Sequence, residues 1–198
     1  MCRVPFPTLP DLLEPGLRLV FVGINPSVYS AERGHYFARK TNRFWPALSR
    51  SRLSAPIRKA LGRDTLVPED DVFLPRFGIG FTDVVKRPTP NAGDLTPADF
   101  REWTPILFAK LERYRPAVAC FHGVVGYRAF LKYALGADAK NLELGSQPHR
   151  IGETNVFLIP NPSPANAHFR LEDQIHWDDK LTEYLERESR IRGNGSYG

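Results

Sequence analysis

The sequence predicts an α/β protein, a three-layer α/β/α sandwich around a central, mainly parallel sheet of four to five strands. Short β-branched and aromatic runs recur along the chain, and segments of helical length separate them. The clearest of those segments repeats apolar residues at intervals of three and four. The 18 Pro and 15 Gly provide frequent punctuation between modest elements. A chain of 198 residues buries one substantial core, so one domain over 1–198 is expected, with a frayed tail from about 192 to 198.

Leu17-Arg18-Leu19-Val20-Phe21-Val22-Gly23-Ile24-Asn25 is the first strand, stopped by Pro26. Asn42 is placed to cap a short helix running through Arg50, and a second helix fits Pro56 to Gly62, with its Pro early and its Gly late. Gly78 to Val85 forms the second strand, and the loop Arg87-Pro88-Thr89-Pro90-Asn91-Ala92-Gly93-Asp94 follows. Thr96 caps the next helix, with Pro97 in its first position. Phe100, Trp103, Ile106, Leu107 and Leu111 form its apolar stripe as far as about Arg113. Ala117 to Phe121 is the third strand, Val124 to Leu135 a helix and Val156 to Pro160 the last strand. A charged helix from 174 to about 190, built on Ile175, Leu181 and Leu185, closes the chain. Strands alternating with helices make the sheet parallel.

Composition narrows the function. The N-terminus has no apolar leader and no segment reaches the length needed to span a bilayer, so a cytoplasmic protein with no membrane partner is expected, nucleoid-associated if bacterial. Cys2 and Cys120 are too few for a disulfide framework or a thiolate metal site and are expected as reduced thiols. His35, His122, His149, His168 and His176 lack metal-ligand spacing; they are expected at the surface or hydrogen-bonded, with His35 near a nucleic acid, and no metal site is expected.

The net charge of +5 is unevenly placed. Arg33 to Arg63 carries nine Lys or Arg and no Asp or Glu, so this stretch is +9 and the remainder −4. Interleaved with Tyr36, Phe37, Phe44 and Trp45, it resembles a polyanion-contacting surface more than a solvated helix face.

Two strands end alike, in Gly23-Ile24-Asn25-Pro26-Ser27 and Ile159-Pro160-Asn161-Pro162-Ser163. Ligands of open parallel sheets bind beyond the carboxyl ends of the strands, so two Asn side chains can meet at one pocket there. A simple Asx turn is the bland reading of each.

These residues also carry a family resemblance over roughly 15 to 170. Gly23-Ile24-Asn25-Pro26, then Phe37-Ala38 and Asn42-Arg43-Phe44-Trp45, resemble the first signature of the mismatch-specific uracil/thymine DNA glycosylases, a branch of the uracil-DNA glycosylase superfamily. Arg87-Pro88-Thr89 and Asn161-Pro162-Ser163 match the central and last signatures in order. The resemblance implies base flipping and hydrolysis of the N-glycosidic bond without a cofactor, on DNA containing uracil or a mismatched pyrimidine, by a monomer. It implies that Asn25 positions the attacking water and that Phe37 stacks on the base, with an ordinary core Phe as the alternative for Phe37. Asn161 then donates to the pyrimidine, and backbone groups around Ile24 and Phe37 read its edge. The fastest uracil glycosylases carry a His where Asn161 stands, so a slower enzyme is expected.

Arg43 and Arg87 are expected at phosphates, each with an internal helix–loop pairing as the alternative. Ser27 departs from the usual second Gly of the first signature. Ser163-Pro164-Ala165-Asn166-Ala167-His168-Phe169 replaces the usual Gly-Leu-type wedge, which leaves a small tip at Ala165. Ser163, Ala165, Asn166 and His168 are the expected DNA contacts of this loop, and Asn166, His168 or Phe169 takes part of the wedge's task. Asp83 has two open readings, as the acid that polarises the water or stabilises the cationic sugar, or as a salt-bridge partner of Lys86 or Arg87. Asp94 is the competing acid. A non-catalytic nucleic-acid-binding module on the same scaffold is the alternative function. A phosphate-ester hydrolase is disfavoured because the first strand is followed by no Gly-rich phosphate loop and the chain shows no acidic magnesium cluster.

Overall fold

The computed structural model describes residues 7–138 and 140–194, with backbone only over 191–194. Its strands are β1 (Leu19–Gly23), β2 (Ile79–Asp83), β3 (Val118–His122), β4 (Gly145–Ile151) and β5 (Thr154–Ile159). They form one sheet in the order β2-β1-β3-β5-β4. Four of them run parallel, and β4 pairs antiparallel with β5 at one edge. The expected α/β/α sandwich is therefore present, with β4 as the fifth strand, which local patterning does not mark.

The helices are α1 (Val28–Arg33), α2 (Phe44–Arg50), α3 (Ala55–Leu61), α4 (Pro97–Tyr114), α5 (Val124–Phe130) and α6 (Leu171–Asn194). Alternation along the strands explains the three layers. Leu19 and Phe21 of β1, Cys120 of β3 and Phe157 of β5 face one core, closed by Trp45 and Leu48 of α2, Ile57 of α3 and Leu181 of α6. Val20, Val22, Phe121 and Leu158 face the other, closed by Trp103, Leu107 and Leu111 of α4 and Tyr127 and Phe130 of α5. Burial on both faces is why the central strands read as unbroken apolar runs.

Thr96 caps α4 as its sequence predicts: its side chain accepts from Asp99 N, and Asp99 Oδ2 accepts from Thr96 N at 2.8 Å. The closing helix runs longer than expected at both ends. It packs through Leu181, Tyr184 and Leu185, while Ile175 stays partly exposed. It continues through the start of the expected tail, of which residues 195–198, like Cys2, lie outside the described residues. Cys120 is buried, which pushes its thiol well above the ordinary value. No helix among the described residues is long and apolar enough to cross a membrane.

The connection from β1 to β2 passes through α1, α2 and α3, whereas the connection from β2 to β3 passes through α4 and crosses to the far side of β1. This reversal opens a crevice beyond the carboxyl ends of β1 and β3.

Candidate active site

A cleft of about 630 Å3 occupies that crevice, a size suited to a small organic ligand. Its wall carries Ile24, Asn25, Phe37, Asp83 and Asn161, with Ser163, Ala165, Asn166 and His168 at its rim. Arg43, Arg87 and the competing acid Asp94 are not on the wall.

Asn25 is locked in one orientation. Its Nδ2 donates to the Arg87 carbonyl at 3.0 Å and to Thr89 Oγ1 at 2.7 Å. A carbonyl only accepts, and the Thr89 hydroxyl proton goes to Asn91 O at 2.6 Å, so both sites demand a donor from Asn25. Its Oδ1 has no hydrogen-bond partner among the described residues and is left to the cleft. The Arg87-Pro88-Thr89 signature thus acts through a backbone carbonyl and a hydroxyl.

Phe37 sits in the left-handed region at φ 53°, a conformation that costs a bulky residue of order 1–3 kcal/mol and persists only where the surroundings impose it. They do. Tyr36 N donates to Asp71 Oδ2 at 2.8 Å, Trp45 Nε1 donates to Tyr36 O at 2.8 Å, and Ala38 N donates to Ser30 Oγ at 3.2 Å. Ser27, the departure from the usual Gly, is the N-cap of α1: its Oγ accepts from Ser30 N and donates to Ser30 Oγ, both at 3.1 Å. The Phe37 ring stacks on Phe44 with centroids 4.3 Å apart and planes 21° apart. Asp71 also lies 2.9 Å from His35 Nδ1, so His35, expected near nucleic acid, is an internal support of this turn.

Asp83 makes the salt bridge with Lys86 that was one of its two readings. It lines the cleft, and its Oδ2 accepts from Lys86 Nζ at 3.1 Å. A β-carbon added at Gly23 would fall 2.6 Å from Asp83 Oδ1 and 3.7 Å from Phe37 Cζ, so the absent side chain of Gly23 is what lets the acid approach the aromatic. Lys86 is itself buried, 3.0 Å from Asp11 Oδ1, and donates to Tyr36 Oη at 3.1 Å. Tyr36 Oη in turn donates to Pro10 O at 3.1 Å, and burial beside these carboxylates raises its phenol well above the ordinary value. Asp11 is further held by Lys110 at 2.5 Å and Thr82 at 2.7 Å, and its carboxyl lies below the ordinary value because these cations outweigh its burial. Burial pushes the Asp83 carboxyl up, with Lys86 opposing. The two carboxylates hold the Lys86 ammonium above its ordinary value despite burial.

Asn161 forms the Asx turn of the bland reading, with Oδ1 accepting from Ser163 N at 2.9 Å. That bond fixes the flip of the amide and leaves Nδ2 without a partner among the described residues. The following loop is braced from outside. Arg43 Nη1 donates to the carbonyls of Ser163 at 2.9 Å and Asn166 at 3.2 Å, and Asn166 Nδ2 donates to Asn161 O at 3.0 Å. Ala165 and His168 remain exposed at the tip.

Arg43 therefore makes the internal helix–loop pairing that was the alternative to a phosphate contact. Arg87 does likewise: its guanidinium grips Asp99 through Nε at 2.6 Å and Nη2 at 2.8 Å and also donates to Asp94 O. This pairing raises Arg87 and holds the Asp99 carboxyl well below the usual range.

Sequence reasoning missed His122. It ends β3 on the cleft wall, buried, 5.1 Å from the Phe37 ring, and its Nδ1 has no partner. Burial lowers its pKa to about 3, so the ring is neutral. Its place at a strand exit immediately before Gly123, the feature that marked Asn25 and Asn161, was the available signal. Gly123 has φ 86°, and a β-carbon there would come 2.9 Å from Asn161 Cβ, so the β3 exit and the last signature touch. No group of three or more His, Cys, Asp or Glu placed to hold a metal occurs among the described residues.

Residues 10–186 match the profile of the uracil DNA glycosylase superfamily. A G/U mismatch-specific uracil DNA glycosylase of Schizosaccharomyces pombe is 32% identical over 185 residues, covering 92% of this chain and 55% of its own length. The chain thus spans about half the length of that curated relative. With a match across most of its residues, and with the glycosylase signatures closing on one cleft, the chain belongs to the uracil DNA glycosylase superfamily.

Proposed function

We propose that this protein is a monofunctional DNA glycosylase that flips uracil out of DNA and hydrolyses its N-glycosidic bond. The observation that carries this reading is the locked amide of Asn25, whose free carbonyl oxygen shares a cleft with Asp83 and Phe37.

In the reaction the C1′–N1 bond breaks, its electron pair leaves with the uracil anion, and the sugar becomes oxocarbenium-like. A water oxygen then bonds to C1′ and gives up a proton. An amide oxygen is a feeble base, so Asn25 contributes chiefly by holding the water in line. The Asp83 carboxylate supplies negative charge toward the cationic sugar and a destination for the water's proton. Phe37 offers its π face to the flipped base. The free Nδ2 of Asn161 and the neutral ring of His122 stand as the hydrogen-bonding groups for the pyrimidine. With no cationic donor among them, stabilisation of the leaving anion is moderate and the enzyme is slow for its class. Arg43 holds the 163–169 loop as a preformed wedge with Ala165 and His168 at its tip.

The test is release of free uracil from a uracil-containing oligonucleotide by purified protein. Wild type is expected to leave alkali-labile abasic sites, and Asn25→Ala to lose at least 100-fold in single-turnover rate while binding the same strand normally (order of magnitude for a positioning group). Intact strands after incubation with wild type would leave only a nucleic-acid-binding module.

A further inference from the structure

The nine cations of the acid-free stretch divide into two groups in space. Arg52 pairs with Glu183 and Glu186, and Arg63 with Asp70. Arg43 bonds the carbonyls of the 163–166 loop, and Arg58 bonds Ser54 Oγ and Asp64 O. Arg33, Arg39, Lys40, Arg50 and Lys59 have neither a carboxylate nor a carbonyl partner among the described residues. All of these except Lys59 line a single groove of about 460 Å3, whose only acid is the exposed Glu69.

The groove adjoins the active-site cleft, sharing Phe37, Arg39 and Asn42 with it. Tyr29 lies half-buried on its wall, with the Arg33 guanidinium 5.1 Å from its ring centroid. Unpaired exposed cations beside an aromatic face are the chemistry that binds single-stranded nucleic acid, through phosphate neutralisation and stacking. A strand whose base is on Phe37 must leave the cleft along one of its edges, and this edge leads into positive charge without a carboxylate partner.

We propose that this groove is a subsite for the strand that carries the flipped base: Arg33 and Arg50 hold phosphates of the nucleotides flanking it on one side, and Tyr29 stacks on a neighbouring base. This rests on the glycosylase reading above and adds to it a second contact region outside the catalytic cleft. Discrimination then extends to single-stranded or locally opened DNA, because the groove follows one strand.

The experiment measures binding, so it is independent of turnover. The protein is titrated against single-stranded oligonucleotides bearing one 2′-fluorodeoxyuridine, which resists cleavage. The lesion sits centrally, at the 5′ end or at the 3′ end. Arg33→Ser/Arg50→Ser is compared with wild type and with Arg33→Lys/Arg50→Lys, all three at several salt concentrations. The serine variant is expected to weaken binding of the central-lesion strand roughly tenfold and to reduce its log–log salt slope by about 1.4, the value for two single-strand phosphates. The lysine variant is expected to keep most of the affinity. One of the two end-lesion strands, lacking the nucleotides that enter the groove, is expected to bind wild type and the serine variant equally. Equal affinity and slope for wild type and the serine variant on the central-lesion strand would overturn the proposal. So would an equal loss on both end-lesion strands. A separate uracil-release assay reports the glycosylase reading, so failure of either leaves a distinct record.

Discussion

Lys86→Met tests the buried charge cluster beneath the cleft. Lys86 Nζ lies 3.1 Å from Asp83 Oδ2, 3.0 Å from Asp11 Oδ1 and 3.1 Å from Tyr36 Oη, with its side chain 5% exposed. Asp11 keeps Lys110 and Thr82 when Lys86 is removed, so it remains compensated. Asp83 has no second hydrogen-bonded cation, and Lys110 acts on it only at longer range. The loss therefore falls on Asp83, and stripping one partner from a buried ion pair costs about 3–5 kcal/mol. The pH dependence has a definite sign. Burial already raises the Asp83 carboxyl, and losing Lys86 raises it further above its unfolded value of 3.8. The folded variant then binds a proton more tightly than the unfolded chain, so its stability falls as pH rises from about 4 through the new folded value. The deficit of Lys86→Met is thus largest at pH 8 and shrinks toward pH 5. Urea unfolding of wild type, Lys86→Met, Asp83→Asn and the double variant at both pH values gives the coupling energy directly. Coupling above about 2 kcal/mol at pH 8, with the double variant more stable than Lys86→Met, is expected. A pH-independent deficit, or one below about 1 kcal/mol at pH 8, would refute the reasoning.

Gly23→Ala places a carbon 2.6 Å from Asp83 Oδ1, so it is expected to displace the acid and lower single-turnover excision at least tenfold; in an Asp83→Ala background the added methyl should cost little further. His122 is expected to stay neutral by NMR down to pH 5. Because its pKa falls from 6.5 to about 3 on folding, stability should drop as pH falls through that range, by up to about 5 kcal/mol, and His122→Gln should flatten the drop. Asp99→Asn removes a paired carboxylate and half of a capping box. With Arg87 a third exposed, screening limits the cost to about 1–2 kcal/mol at pH 7. A carboxyl held below its unfolded value stabilises fully above about pH 4 and less as pH falls, so thermal melts of wild type and this variant should converge in acid.

The sequence was most readable where periodicity and caps agreed. Strands buried on both faces announce themselves as apolar runs, and Thr96-Pro97 with its stripe marks α4 almost to the residue. β4 was invisible because Gly145-Ser146-Gln147-Pro148-His149-Arg150-Ile151 is polar, lies at the sheet edge and contains a proline where its pairing slips. α1 is too short to show a stripe, and only its Ser27 cap signals it. At the site, the Asn-Pro-Ser exits identified the cleft because strand ends of a parallel sheet converge by topology. What remained hidden was pairing across the chain. Nothing near Lys86 points to Asp11, and nothing in the acid-free stretch points to Glu183 or Asp70. Charge that looks unopposed along the chain is sorted into used and unused only when distant helices arrive beside it.

Arg43 ties itself to the loop after Asn161 by three bonds, two from its guanidinium and one from its backbone N–H to Pro162 O at 3.0 Å. The same residue precedes α2, whose Phe44 underlies Phe37, so the proposed wedge tip and the proposed shelf for the base are tied through one residue. These bonds oppose separation of loop and shelf. Under the proposed function the deformation needed to extrude a nucleotide falls on the DNA, and steps that unstack readily are expected to yield their bases first.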